Sequence, residues 1–122
     1  MTTMDVTQTL NEVMTMGGAL GAALVDMTSG MALGTIGGGG IDLDIAAAGN
    51  TEVVKAKLRT MEDLGIQGQI EDILITLSTQ YHLIRPLGSD STVFLYVVLN
   101  KAQANLAMAR RTLAKIEAGL QL

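Results

Sequence analysis

The sequence predicts an α/β (α+β) domain, a five-stranded sheet carrying helices, in the order α-β-β-α-β-β-β-α. Three observations lead there. Thr92–Leu99, TVFLYVVL, shows no polar alternation after Thr92 and reads as a strand covered on both faces, hence central in its sheet. Ala19–Val25, ALGAALV, is apolar on both faces too and makes a second central strand. Ile70–Leu77, Gln80–Leu87 and Thr92–Leu99 follow one another through brief turns, which is an antiparallel meander.

Taken in order, Thr2 or Thr3 caps a first helix reaching to about Met16. Its apolar stripe is Val6, Leu10, Val13 and Met14, and Gly17-Gly18 ends it. Met4, Met14 and Met16 read as adaptable packing rather than ligands. After Ala19–Val25, the stretch Asp26–Gly30 is a tight hairpin turn, and Met31–Ile36 returns as a shorter edge strand. The glycine run 37–40 lacks the following Lys-Ser/Thr of a phosphate loop. Ile41-Asp42 follows instead, and Asp42 would repel phosphate, so the run reads as a connection.

Asp42 caps the next helix, which reaches to about Leu64 before Gly65, with acids early and Lys55, Lys57 and Arg59 late, as the helix dipole favours. Ala46-Ala47-Ala48-Gly49 is small-sided for a helix. Gly49 costs on the order of 1 kcal/mol there, so a close backbone contact is expected at it. Ile45, Val53, Val54, Leu58 and Met61 supply apolar contacts on more than one side, which a dimer would explain.

In the first meander strand Glu71, Ile73, Ile75 and Leu77 alternate with Ile70, Asp72, Leu74 and Thr76, a partly exposed edge. Pro86 falls near the end of the second strand, where it is tolerated. Asn100 stops the third strand and offers its side chain as cap to a last helix, with Gln103 at the third position of a capping box. Ala102, Leu106, Ala109, Leu113, Ile116 and Leu120 form that helix's stripe.

Residues 1–122 are one domain by length. Hydrophobic residues make up 48% and charged residues 16%, against about 25% charged in an average globular domain. So few charges leave apolar surface to cover, and a buried self-interface is the economical solution. A net charge of −4 with dispersed Lys and Arg provides no footprint for nucleic acid or anionic lipid. Two Tyr and one Phe are too few platforms for stacking bases. Cysteine is absent, which fits a reducing compartment. MTTMDVTQTL is not a signal peptide, and the Gly-rich apolar stretch 17–40 is interrupted by Asp26, Thr28 and Ser29. A cytoplasmic protein without membrane insertion is expected.

The chemistry-bearing residues do not assemble into a catalytic set. His82 is the only histidine, with no second metal ligand or nucleophile that spacing pairs with it, so a structural or surface role is expected. Asp42/Asp44 suits a helix start and Glu62/Asp63 a helix end. Glu71/Asp72 lies on a strand, where neighbours point to opposite faces and cannot share a proton. All three pairs read as solvated faces. Arg110-Arg111, with Lys101 and Lys115, gives the last helix a basic outer side. No enzyme activity, cofactor or metal is expected.

The hairpin GALGAALVDMTSGMALGTIGGG, the strand pair IEDILITLSTQYHLIRPL and the segment FLYVVLNKAQANLAMARRTLAKIE resemble the roadblock / dynein light chain family, over Met4 to Leu120. The short, cysteine-free form is similar to the single-domain proteins of actinobacteria. The resemblance implies a profilin-like or longin-like antiparallel sheet in the order 2-1-5-4-3. It places the first and last helices on one face and the middle helix on the other. It further implies that the middle helix and the edge strand Ile70–Leu77 pair with their copies across a two-fold axis.

The family is associated with small Ras-like GTPases, as regulators, scaffolds or activating partners, and bacterial members often occur beside a sensor kinase. This sequence has no GxxxxGK[ST] and is not the GTPase. The resulting expectation is a non-enzymatic homodimer that regulates or scaffolds a small GTPase. Val54, Leu58, Met61, Ile73 and Ile75 are the expected self-association residues. A structural assembly subunit in a sensor-kinase or motor-type complex is the second reading. A small-ligand sensor is the third, and it would require a pocket with polar groups in an apolar stretch.

Overall fold

In the computed structural model, which describes residues 5–38 and 40–120, the strand β5 (Val93–Asn100) buries every residue from Val93 to Leu99. β5 pairs antiparallel with β1 (Ala19–Asp26) on one side and β4 (Gln80–Pro86) on the other. The hairpin partner β2 (Met31–Gly37) closes one edge of the sheet and β3 (Ile73–Thr76) the other, giving the order β2-β1-β5-β4-β3. This is the order the resemblance implies. The two continuous apolar runs lie at its centre, because only a strand covered on both faces can afford apolar side chains on both.

Side chains alternate between two apolar layers. Leu24, Leu83, Leu95 and Val97 face α1 (Val6–Val13) and α3 (Leu106–Gly119), which contribute Leu10, Val13, Ala109, Leu113 and Ile116. Ala23, Val25, Ile84, Phe94, Tyr96 and Val98 face α2 (Leu43–Leu64), which contributes Leu43, Ala47 and Val54. Each large side chain so buried stabilises the fold by about 1.5–3 kcal/mol before entropy is counted. Gly34 lets α1 approach β2: a Cβ there would stand 2.7 Å from Val6 Cγ1.

The middle helix begins and ends as expected. Asp42 accepts the backbone N–H groups of Asp44 and Ile45, and Gly65 terminates the helix in the left-handed conformation, φ 68°. The glycine run 37–40 joins β2 to α2, with Gly38 N–H donating to Leu20 O at 2.9 Å.

Three expectations are corrected. Asp5 caps α1, its carboxylate accepting Gln8 N–H at 2.8 Å while its own N–H donates to Gln8 Oε1 at 3.0 Å. Thr2, Thr3 and Met4 lie outside the described residues. The helix ends at Val13 because Thr15 and Met16 close tighter turns, onto Glu12 O and Val13 O.

The second correction concerns the last helix. β5 runs through Asn100, whose N–H bonds Gly18 O and whose side chain accepts Ala102 N–H within a turn. Asn105 is the cap of α3, accepting Met108 N–H at 3.1 Å. Lys101, Ala102 and Gln103 therefore precede the helix, and its buried stripe starts after them.

Third, β3 is four residues long instead of eight. Asp72 turns toward α3, where it accepts Nε and Nη2 of Arg110 at 2.9 and 3.2 Å, so neither residue is simply part of a solvated face. The close contact expected at Gly49 is not made by the described residues: outside the backbone of its own helix, none of them lies inside 4 Å of a Cβ built there.

A candidate self-association surface

The α2 stripe Leu43, Ala47, Thr51 and Val54 is buried against the sheet, and the Thr51 hydroxyl is satisfied locally by Ala47 O at 2.8 Å. On the adjoining flank Ala46, Gly49, Val53, Ala56 and Thr60 follow at steps of three, four, three and four, which puts them in one row. All but the half-buried Ala46 are exposed. Their small side chains leave the helix backbone open to close approach.

This flank runs beside the free edge of the sheet. Val53, Ala56, Lys57 and Thr60 form one wall of an open groove of about 600 Å³, and Asp72 and Ile73 form the other. Among the described residues β3 pairs only with β4, in the register Ile73 with Ile84 and Ile75 with His82, so its outer backbone groups have no strand partner there. The face is apolar at its centre, bounded by Lys57 and by an Asp72 whose charge is already committed to Arg110.

Beneath α2, next to this edge, His82 joins β3's neighbour to the core. Its Nε2 lies 2.9 Å from Gln80 Oε1 and its Nδ1 2.9 Å from the Tyr96 hydroxyl. Gln80 Oε1 only accepts, so Nε2 carries the proton and Nδ1 accepts from Tyr96. Burial holds His82 below its usual pKa. Burial likewise pushes the Tyr96 phenol up, against a hydrogen bond from Asn50. This is a structural tether, as expected for a lone histidine. Among the described residues no three acidic or histidine side chains converge as a metal site would require.

The expected self-association residues separate in the structure. Val54 is 1% exposed and is spent on the chain's own core. Leu58, 39% exposed, is at the rim of a cavity of about 300 Å³ shared with Met27, Ile70 and Leu87, and Met61 lines the shallower surface beyond it. Ile73 and Ile75 are half-buried on the α2 side of β3, and Ile73 alone of the five reaches the groove. The row that faces the groove from α2 contains Val53, Ala56 and Thr60, which the sequence reading did not select. Its signal was the spacing of small residues from Ala46 onward.

The topology decides what the chain is similar to. A roadblock/LC7 domain from Streptomyces avermitilis superposes with a TM-score of 0.79 at 14% identity, covering 94% of this chain and 93% of that one. The fold is the roadblock fold. Myxococcus xanthus MglB is similar at a TM-score of 0.74 and 18% identity, over 91% of this chain and 84% of its own. An MglB with tetrameric arrangement is similar at 0.68 and 18%, over 93% and 88%. No protein-family profile and no curated protein matches the sequence. The roadblock likeness is thus one of structure, spanning nearly the full length of each chain. Among the described residues of this roadblock fold, no helix is long and apolar enough to cross a membrane.

Proposed function

We propose that this protein is a homodimeric, non-enzymatic regulator or scaffold of a small Ras-like GTPase. The observation that carries the reading is the roadblock fold joined to an open groove between α2 and the sheet edge β3. A second copy related by a two-fold axis offers the same groove in return, which is the self-complementary arrangement of an isologous dimer. Its α2 packs against the small-sided row at Gly49, Val53 and Ala56, and its β3 continues the sheet. Val53, Ala56, Thr60 and Ile73 are the self-association residues in this proposal, with Leu58, Met61 and Ile75 at the margin.

The resemblance of the sequence to the roadblock family brings in the GTPase. Surface docking on one conformation of a GTPase shifts its population toward that conformation, and no catalytic side chain is needed. The experiment measures solution mass with the small GTPase encoded nearest to this protein, loaded with GDP or a GTP analogue. Added mass in one nucleotide state supports a regulator. Equal indifference to both states moves the assignment to a structural subunit of a larger assembly.

A further inference from the structure

The edge of the sheet away from the groove has a distinct character. β2 is the terminal strand there, and Met31 and Leu33 on it are 68% and 50% exposed. The pairing with β1 shifts register between Leu24 and Val25, where Gly34 and Ala32 are the partners, so Leu33 has no partner and is turned outward. Beside it, Val6 and Leu10 of α1 and Leu33 and Ile36 of β2, with Thr7, Asn11 and Thr35 among them, wall a small groove of about 170 Å³.

Along the stretch of chain that forms α1, β1, β2 and the start of α2, the charges all have one sign. Between Asp5 and Asn50 the charged side chains are Asp5, Glu12, Asp26, Asp42 and Asp44, with no Lys, Arg or His among them. All eight Lys and Arg residues and His82 come later in the chain. Asp5 starts α1 at the end nearest Leu33. Asp26 pairs with Met31 at the hairpin, and Asp42 and Asp44 open α2 just beyond the end of β2. An apolar strip with carboxylates at both ends complements a partner that carries apolar and cationic side chains together.

We infer that the β2 edge and its α1 groove bind an extended protein segment with alternating apolar and basic side chains. The apolar side chains occupy the groove at Leu33 and cover Met31, and the cations face Asp5, Asp26 and Asp44. The site is at the opposite edge from β3. Self-association through β3 therefore leaves it free on both copies, one at each end of the joined sheet. The inference stands on the monomer's own surface and does not depend on the GTPase.

The test uses a fluorescein-labelled peptide of alternating Lys and Val, with an alternating Lys-Ser peptide of equal charge as comparison. Anisotropy and amide chemical shifts of the intact protein are followed. Expected is saturable binding of one peptide per chain, with shifts at Val6–Asn11 and Met31–Gly37. Leu33→Asp, and separately Met31→Ser at a position too exposed to affect folding, weaken it about tenfold or more. Equal binding of the Lys-Ser peptide, or shifts confined to the α2–β3 groove, overturns the inference. A wild-type mass above the dimer that Leu33→Asp brings back down assigns the edge to a further copy of this chain and overturns it as well.

Discussion

Arg110 on α3 holds Asp72, the residue just before β3, through two hydrogen bonds of 2.9 and 3.2 Å. The pair reaches from the outer helix to the sheet edge, and the arginine side chain is 42% and the aspartate 18% exposed. Asp72 also borders the groove proposed for self-association. The contact therefore fixes where the edge strand starts.

Arg110→Ala is expected to cost about 0.5–1 kcal/mol, the upper part of the range for partly exposed ion pairs because the geometry is two-pronged. Amide exchange at Ile70–Asp72 should quicken while that of β5 stays slow. Denaturant unfolding of the single variants and of Arg110→Ala/Asp72→Ala measures the coupling. A coupling of zero would mean the pair positions nothing.

The His82–Tyr96 contact makes stability depend on pH. Burial lowers the pKa of His82 in the folded chain, so the unfolded chain takes up the proton first as pH falls. His82's contribution is complete above its ordinary value of about 6.5 and is lost as pH drops from there through the lower folded value. His82→Gln should flatten that part of the stability profile, leaving only the carboxylate losses below about pH 5. Proton NMR of the imidazole gives the folded value directly. A value at or above the ordinary one contradicts the expected direction.

The helix caps are separable by mutation. Asn105→Ala removes the acceptor for Met108 N–H at the start of α3 and is expected to cost about 1 kcal/mol. Asn100→Ala removes a bond within a turn and should cost less, with α3 helicity unchanged. Thermal unfolding with far-ultraviolet circular dichroism distinguishes the two. An equal loss of helix in both variants would place the helix start back at Asn100.

The contrast between these two asparagines shows how far the sequence could be read. Element order and the central strands were legible because burial on both faces leaves an unbroken apolar run, as in Ala19–Val25 and Thr92–Leu99. The boundaries of α3 and β3 were not. Asn100 and Asn105 are both competent caps, and the choice is made by Gly18 O, which keeps Asn100 in the sheet from a distant part of the chain. Asp72 is pulled from the strand pattern by Arg110, 38 residues away. Such choices depend on tertiary partners that local pattern does not contain.

Which flank of α2 meets the sheet was not legible in the sequence for a similar reason. Val54 and Val53 differ by one position and about 100° around the helix, and apolar character alone does not say which of them meets the sheet. The structure gives Val54 to the core and leaves Val53 at the groove. Gly49 was expected to need a close neighbour, and outside its own helix backbone none of the described residues provides one.

Solution mass by light scattering is the most direct measurement of whether a second copy provides it. Wild-type protein should weigh twice the 12.8 kDa of the chain. Val53→Asp should return the mass to that of a single chain while circular dichroism stays native, because Val53 is 38% exposed and outside the core. A wild-type monomer, or a Val53→Asp dimer of unchanged stability, would contradict self-association through α2 and β3.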